Sequence, residues 1–395
     1  MKILMIAPEP VFRVRGTPFS VRDRCRALSD LGHTVDLLTY PFGDDFTFPG
    51  IRIHRTRRVP GIRDIRIGFS WQKLPLDGLL FLKAIAALRR GGYELIHTHE
   101  EAGMMGALLA PLFRIPHVYD MHSSLPQQFE NYATSTAKPV MAFMRLVERF
   151  ILSRSHAVIA ICPNLRQIAL EARPDAPVFV IENVAQMSDT PPSDAEIESI
   201  RRTYDLSGKF VIGYTGTFEV NQGLEILARA FVRFVAEHPE GVLFLAGGED
   251  QQVREMRQRV EALGIADQCR IPGKIEVPLM PAVMGACSVL ASPRLIGTNT
   301  PLKIYSYLKS GVPILATRLL THTQVLDDEV AVLTEPTVEG LHAGMKMLHD
   351  QPEMRSRLGR EAVRREKECY SYPAYLKKVD ETVRHAVMTK PEQRV

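Results

Sequence analysis

One stretch decides the fold of this chain: residues 210–246, FVIGYTGTFEVNQGLEILARAFVRFVAEHPEGVLFLA. Phe210–Tyr214 and Val242–Ala246 are short apolar runs, which is typical of buried strands. Leu224–Glu237 lies between them and has the apolar spacing of a helix. A strand, a helix and a strand in this order predict a parallel βαβ unit.

The same alternation continues on both sides of this unit. N-terminal to it, the predicted strands are Ile3–Ala7, Thr34–Thr39, Glu94–His97, His117–Met121, Ala157–Ile161 and Val178–Ile181, and the predicted helices are Pro18–Leu31, Gly78–Arg90 and Ala102–Leu112. The polar segment 186–200 contains two prolines and predicts a linker. We therefore expect an α/β protein with two facing, Rossmann-like, doubly wound domains, 1–185 and 201–372, and a ligand cleft between them. A final helix within 373–390 is expected, and the sequence leaves open whether it joins the first domain.

Composition narrows the class of protein. The 395 residues are 45% hydrophobic and 24% charged, with a net charge of +4, which is an ordinary globular balance. The five cysteines are scattered without a CxxC pair, which suits a reducing compartment rather than a disulfide framework. The N-terminus reads as a first strand rather than a signal peptide, and no apolar run is long enough to span a bilayer. We expect a cytoplasmic protein.

Positive charge concentrates in residues 51–73. This segment holds one acidic residue, Asp64, against seven basic ones: Arg52, Arg55, Arg57, Arg58, Arg63, Arg66 and Lys73. Such a patch could attract an anionic membrane surface or a phosphorylated acceptor, or it could be a solvated loop. Nucleic acid is not expected as a partner, because no aromatic platform or reading helix accompanies the patch.

Two loops at strand ends are candidate phosphate sites. The first lies between the strand that ends near Tyr214 and the helix that begins at Leu224, and it contains Gly216, Thr217 and Gln222. Glycines at such a turn, followed by the free amides of a helix N-terminus, favour phosphate, although an ordinary connection also needs glycine.

The second loop carries a more specific signal. Thr300 and Pro301 have the pattern of an N-cap and a first helical residue. Lys303 falls in the first turn, where the helix dipole opposes a cation, and Arg294 lies just upstream. Two cations near one helix start indicate that an anionic ligand binds there, and a diphosphate is suitable. The alternative is that both side chains extend into solvent. The remaining candidate residues of this loop are Thr298, Asn299, Leu302 and Ser306.

Two features of the N-terminal half complete the candidate site. Gly16 lies in a loop after the first strand, beside Arg13 and Arg15, and could close over a ligand. His97, His99 and His122 lie at the ends of two strands, so they could hold a metal, but no further ligand spacing supports one. We expect a polar role for His122, with a hydrogen-bonded core histidine as the alternative.

Seven short segments, in their order and spacing along the chain, resemble glycosyltransferase family 4, whose members are retaining enzymes with the GT-B fold. The segments that carry the resemblance are 31–35 (LGHTV), 94–99 (ELIHTH), 120–122 (DMH), 181–184 (IENV), 245–249 (LAGGE), 271–274 (IPGK) and 311–317 (GVPILAT). The resemblance implies that Gly16 lies near the donor phosphates and that His122 contacts the transferred sugar. It also implies that Lys274 and Ile275 hold the base, next to Gly248, and that 300–303 lie at the diphosphate.

The chain departs from that family at four positions. Thr217 and Gln222 stand where the family has an arginine and a lysine, and Thr298 and Ser306 stand where it has two glutamates. Arg294 and Lys303 could replace the missing cations. We predict His122, Lys303 and Arg294 as catalytic residues of a variant subgroup.

The predicted reaction is retaining transfer of a sugar from a nucleotide-diphosphate donor, UDP- or GDP-linked, to a glycan or lipid-linked acceptor in cell-surface polysaccharide synthesis. No Asp-x-Asp motif occurs, so we expect no metal and no other cofactor. The alternatives are a non-catalytic sugar-nucleotide-binding subunit and a nucleotide-sugar 2-epimerase. An epimerase needs acid–base carboxylates, which the sequence does not place.

Overall fold

The computed structural model describes residues 1–11, 16–62, 65, 72–127, 138–185, 187 and 190–389. The chain forms two compact units. The N-terminal unit comprises Met1–Asn183 together with the chain from Tyr372 onward, and the C-terminal unit comprises Val184–Ser371.

The N-terminal unit is built on a seven-stranded parallel sheet with the order β3-β2-β1-β4-β5-β6-β7. Its strands are β1 Lys2–Ala7, β2 Thr34–Thr39, β3 Ile51–Arg55, β4 Leu95–His99, β5 His117–Met121, β6 Ala157–Ala160 and β7 Val178–Val180. Its first helices are α1 Gly16–Asp30, α2 Lys73–Arg90, α3 Ala102–Phe113, α4 Lys138–Ser153 and α5 Pro163–Ala172.

The C-terminal unit is built on a six-stranded parallel sheet with the order β10-β9-β8-β11-β12-β13. Its strands are β8 Phe210–Gly216, β9 Gly241–Gly247, β10 Cys269–Gly273, β11 Val289–Ser292, β12 Ile314–Thr317 and β13 Ala331–Thr334. Its helices are α6 Asp194–Thr203, α7 Leu224–Glu237, α8 Asp250–Ala262, α9 Met280–Gly285, α10 Leu302–Ser310, α11 Leu320–Thr323, α12 Val338–Asp350 and α13 Pro352–Arg365. The prediction of two Rossmann-like α/β domains is confirmed.

Each sheet is covered by helices on both faces, which is why the residues of its central strands are buried without alternation. All residues of β4 and β5 are buried. The helix α3 lies so close to β5 that it needs glycine at two positions. A Cβ on Gly103 would lie 2.6 Å from the ring of Tyr119, and one on Gly106 would lie 2.1 Å from Nε2 of His117.

The last helix, α14 Tyr372–Met388, packs on the N-terminal unit. Tyr372 donates a hydrogen bond to Asp30 on α1 (2.5 Å), and Lys378 pairs with Glu182 (2.6 Å). The ring of Tyr375 lies 5.0 Å from the Arg24 guanidinium, so this helix also covers a buried charge.

Several predicted boundaries shift. The predicted linker contains the start of α6, because Ser193 and Glu196 form a capping box and Ile200 is buried. The basic segment 51–73 begins as the strand β3, in which Arg55 pairs with Asp45. Of that segment, residues 63–64 and 66–71 lie outside the described residues. No helix in the described ranges has the length and hydropathy needed to cross a bilayer.

Candidate functional site

In the C-terminal unit the predicted phosphate loops meet at a point where the strand order reverses. β8 lies between β9 and β11, so the loops after β8 and β11 leave the sheet side by side. Parallel sheets bind ligands at such switch points, beyond the carboxyl ends of the strands. The two loops are joined by the Leu295 amide, which donates to the Asn221 carbonyl (3.1 Å). They also pack tightly, because a Cβ on Gly223 would lie 1.9 Å from the Pro293 carbonyl oxygen.

Gly216 is the last residue of β8 and begins this turn. Its φ of 138° is a conformation that residues with a side chain rarely adopt. A Cβ at this position would lie 3.1 Å from Nζ of Lys303 and 3.2 Å from the Tyr214 hydroxyl. That hydroxyl donates to the Thr217 carbonyl (2.6 Å) and so fixes the turn.

Lys303 reaches this turn from the start of α10. Its Nζ donates to Oε1 of Gln222 (3.1 Å) and lies 3.7 Å from the centroid of the Tyr214 ring. Burial, and secondarily the charge of Arg294, hold the pKa of the ammonium well below its ordinary value. The protein therefore keeps a cation here in surroundings that disfavour its charge.

Arg294 supplies a second desolvated cation. Its Nη1 donates to the Asn299 carbonyl (3.2 Å) and to Oγ1 of Thr321 (3.0 Å), while its Nε is buried without a hydrogen-bond partner. Burial lowers the pKa of this guanidinium. Among the described residues, no carboxylate pairs with Arg294 or with Lys303. Buried charges are ordinarily paired, so this arrangement is suited to an anionic ligand.

The helix start differs from the prediction. α10 begins at Leu302, and Pro301, not Thr300, is the N-cap residue. The extended ψ of Pro301 (137°) places Thr300 one residue too early to cap the helix, and Oγ1 of Thr300 is buried without a partner. Ser306 is buried about one turn after Lys303 on the same helix.

Of the other predicted donor-binding residues, Gly248 lies at this turn, whereas Lys274 and Thr298 are exposed. Gly248 donates its amide to the Gly216 carbonyl (3.1 Å), so the end of β9 joins the site. Ile275 packs against the core, whereas Lys274 is exposed and pairs with Glu249 (2.6 Å). Thr298 is exposed, and its carbonyl accepts a hydrogen bond from the side chain of Gln324.

A second polar cluster lies in the N-terminal unit at the ends of β4 and β5. His97 and His99 stack on each other (4.9 Å between centroids), and Nδ1 of His99 lies 3.0 Å from Nε2 of His122. All three rings surround Asp120, whose carboxylate lies 3.3 Å from Nε2 of His97 and 3.3 Å from Nε2 of His122. The predicted polar environment of His122 is therefore a buried carboxylate–imidazole network.

Arg24 of α1 anchors this network. Its Nε lies 2.9 Å from Oδ2 of Asp120, and both side chains are buried. Burial alone would raise the pKa of Asp120, but Arg24, His122 and His99 together hold it well below its ordinary value. Burial lowers the pKa of His122 and of the other two histidines, which favours the neutral form of their rings.

Within the described residues, two groups of side chains have ligand atoms close enough to share a metal ion. One is His97, His99 and Asp120, and the other is the surface group His238, His349 and Asp350. In the first group the Arg24 guanidinium already occupies the Asp120 oxygen that a metal would use. A divalent cation there would lie beside a fixed positive charge, which favours the ion-pair network over a metal site.

Glu100 lies beside this cluster, directly after β4. It has a positive φ of 51°, which is uncommon for a residue with a side chain. Its carboxyl group accepts a hydrogen bond from Ser123 (2.8 Å), and burial together with the charge of Glu101 raises its pKa to about 8. The carboxyl group of Glu100 is thus held at the carboxyl edge of the sheet in surroundings that disfavour its charged form.

Sequence reasoning missed three residues of these clusters. Asp120 and His122 are two apart on a strand and so share a face, which is the signal that would have found the carboxylate. Arg24 falls within the buried stripe of α1, where an arginine needs a partner. The contact of Tyr214 with Lys303 depends on the fold and has no sequence signal.

Gly16 is the first residue of α1 rather than a loop residue, because the helix begins two residues earlier than predicted. No atom of the described residues would lie within 4 Å of a Cβ at Gly16. Arg13 and Arg15, which were predicted to flank it, lie outside the described residues.

Two Rossmann-like units with parallel sheets are the architecture of the GT-B class, and comparison with known families agrees. Residues 15–183 match the model of the glycosyl transferase 4-like domain, and residues 196–365 match that of glycosyl transferases group 1. The chain belongs to the family 4-type glycosyltransferases.

Individual relatives are distant. The mannosylfructose-phosphate synthase of Agrobacterium fabrum is 27% identical over 68% of this chain, which spans 64%, less than two thirds, of that relative's length. The phosphatidyl-myo-inositol mannosyltransferase of Mycolicibacterium smegmatis is 22% identical over 90% of this chain and 86% of that protein. A crystal structure of Anabaena HepE in complex with UDP superposes with a TM-score of 0.77 at 17% identity, covering 97% of this chain and all (100%) of that one, which shows the shared fold.

Proposed function

We propose that this protein transfers a sugar, with retention at the anomeric carbon, from a nucleotide-diphosphate sugar to a glycan or lipid-linked acceptor. One observation carries the proposal: Lys303 and Arg294 are desolvated cations at the β8/β11 switch point, and in the described chain neither has a carboxylate partner. A diphosphate supplies the missing negative charge.

The site has the parts that diphosphate departure requires. The turn at Gly216 lets a phosphate approach the backbone, and the start of α10 directs amide groups toward the same region. When the bond from the sugar to the diphosphate breaks, negative charge develops on the leaving oxygen. We propose that Lys303 and Arg294 stabilise that charge and that no metal is required.

His122 is proposed to contact the transferred sugar. Its Nε2 lies 3.0 Å from Nδ1 of His99 and 3.3 Å from the Asp120 carboxylate, and a proton on that nitrogen suits both neighbours. Asp120 and Arg24 would thus be positioning residues that fix the imidazole. The base of the donor is proposed to lie near Gly248 and Ile275, and the UDP bound in the Anabaena structure supports a nucleotide-sugar donor.

The acceptor class rests on the names of the relatives, which act on a sugar phosphate and on a phosphatidyl inositol. We propose a role in the synthesis of a cell-surface polysaccharide or glycolipid. The cytoplasm, where nucleotide sugars are made, is the proposed location.

Binding of UDP, GDP, ADP and CMP to the purified chain tests the donor site, with thermal shift and titration calorimetry on the wild type and on Lys303→Ala. We expect one nucleoside diphosphate to stabilise the wild type and to lose most of that effect in the variant. The anomeric configuration of the product, read by NMR, tests retention, and activity in EDTA tests the absence of a metal requirement. Nucleotide binding without turnover of any acceptor would favour a non-catalytic sugar-nucleotide-binding subunit.

A nucleotide-sugar 2-epimerase is the second candidate, and Glu100 is the observation that favours it. An epimerase needs a carboxyl group that exchanges a proton near neutral pH, and the pKa of Glu100 is raised to about 8. Incubating the cognate nucleotide sugar alone in D₂O separates the two functions. Deuterium at C2 without acceptor would indicate epimerisation, and its absence would exclude it.

A further inference from the structure

We propose that the outer face of α3 and α4 is a docking surface for an anionic lipid bilayer. Four large apolar side chains stand on this face. Leu108 and Leu112 of α3 are 47% and 72% exposed, and Phe143 and Leu146 of α4 are 58% and 64% exposed. The proposal does not depend on the donor site, because the surface lies wholly within the N-terminal unit.

The topology places these side chains on one surface. α3 connects β4 to β5, and α4 precedes β6, which is the next strand of the sheet. Right-handed crossovers between successive parallel strands put both helices on the same side of the sheet. Their inner residues pack together in one core cluster, which includes Ala107, Met104, Ile151 and Val147. The outward residues of the two helices are therefore neighbours facing away from the sheet.

The charges on this surface have one sign. Lys138, Arg145 and Arg149 of α4 are exposed, as are Arg114 and Arg154 at the ends of the two helices. In the described chain none of these five cations forms an ion pair. The one carboxylate of α4, Glu148, is buried and accepts hydrogen bonds from the Leu125 amide (2.8 Å) and Ser124 (3.3 Å).

A helix with cations and large apolar side chains on its exposed face fits the boundary of an anionic bilayer. The apolar side chains enter the acyl region while the guanidinium groups stay at the phosphates. Nucleic acid would leave the apolar side chains of Phe143 and Leu146 without a partner. This surface also differs from the basic segment 51–73, in which Arg55 is already bound to Asp45 and to backbone carbonyl oxygens.

Flotation of the full chain with vesicles tests the proposal. Vesicles of phosphatidylcholine alone are compared with equimolar phosphatidylcholine and phosphatidylglycerol, without nucleotide or acceptor. We expect binding to the anionic vesicles, and we expect it to weaken as salt is raised.

Two double variants on α4 separate the apolar contribution to vesicle binding from the electrostatic one. Phe143→Ser with Leu146→Ser should lower the partition coefficient at least about tenfold, because two large apolar contacts with the bilayer are lost. Arg145→Gln with Arg149→Gln should lower it about tenfold or more at low salt, from the loss of two cations near the surface. All four side chains are exposed, so circular dichroism should show an unchanged fold.

The matched control is Arg57→Gln with Arg58→Gln, which removes two exposed charges from the 51–73 segment. Full binding by this control supports the proposed surface, whereas loss of binding only in this control overturns it. No flotation of the wild type with anionic vesicles also overturns it. The proposal is also overturned if light scattering shows that the wild type self-associates and that the Phe143/Leu146 variant does not. The face would then be an interface between protein copies.

Discussion

Replacement of Lys303 by methionine should separate the stability of this protein from its ability to bind a nucleotide. Methionine has a similar length and fills the space beside Gly216 without carrying a charge. The change removes one hydrogen bond to Gln222 and one cation–π contact with Tyr214. Oε1 of Gln222 stays 3.2 Å from the Tyr214 hydroxyl, but it shares that single proton with the closer Thr217 carbonyl (2.6 Å).

The expected effect on folding is small. The two lost contacts are worth about 2 kcal/mol together. Against this, each unit by which the pKa of Lys303 is lowered represents about 1.4 kcal/mol of unfavourable charge burial at neutral pH. The free energy of unfolding should therefore be unchanged or higher in Lys303→Met. Because the unfolded chain binds the proton more tightly, any gain should fade as the pH rises toward 10.5, the ordinary value for lysine.

The expected effect on binding is large. A charge-assisted hydrogen bond to a diphosphate contributes about 1.5–3 kcal/mol, so its loss should weaken nucleotide binding roughly 10- to 150-fold. Calorimetric titration with the best nucleoside diphosphate measures the affinity, and chemical denaturation measures the stability. Lys209→Met, which removes an exposed lysine of the same unit, is the control and should change neither. Unchanged affinity together with a stability loss of several kcal/mol would refute an anion-binding role for Lys303.

Three further changes test the remaining features of the site. Gly216→Ala should weaken nucleotide binding and lower Tm, since its Cβ would lie 3.1 Å from Nζ of Lys303 at a φ of 138°; normal binding would show that the turn is not used. Asp120→Asn should destabilise the protein by about 3–5 kcal/mol in denaturant, because it leaves the Arg24 charge buried and unpaired; a loss under 1 kcal/mol would contradict that account. Glu100→Gln should remove a fall in stability between about pH 4.5 and 8, because the raised pKa keeps this group protonated in the folded state only. Identical pH profiles of unfolding would contradict it.

The sequence by itself determined the class of fold. The strand–helix–strand pattern at 210–246 and its repeats fixed two parallel sheets, since apolar runs and helical spacing depend on neighbours along the chain. The bounds of α7 and β2 agree with the structure, and those of most other elements differ by one or two residues. The start of α6 and the strand β3 are among the elements that were not predicted, because polar and basic residues dominate those two segments.

The tertiary structure decided which residues act together. Lys303 and Arg294 were conspicuous in the sequence, but only the adjacency of β8 and β11 brings Lys303 to Gly216 and Gln222. Likewise, Arg24 meets Asp120 across 96 positions of the chain. The same holds for the exposed apolar face of α3 and α4. Such pairings depend on strand order and on burial of charge, which no local pattern encodes. A sequence therefore indicates the kinds of groups that a site will contain, while the packing of the sheet determines which of them are desolvated together.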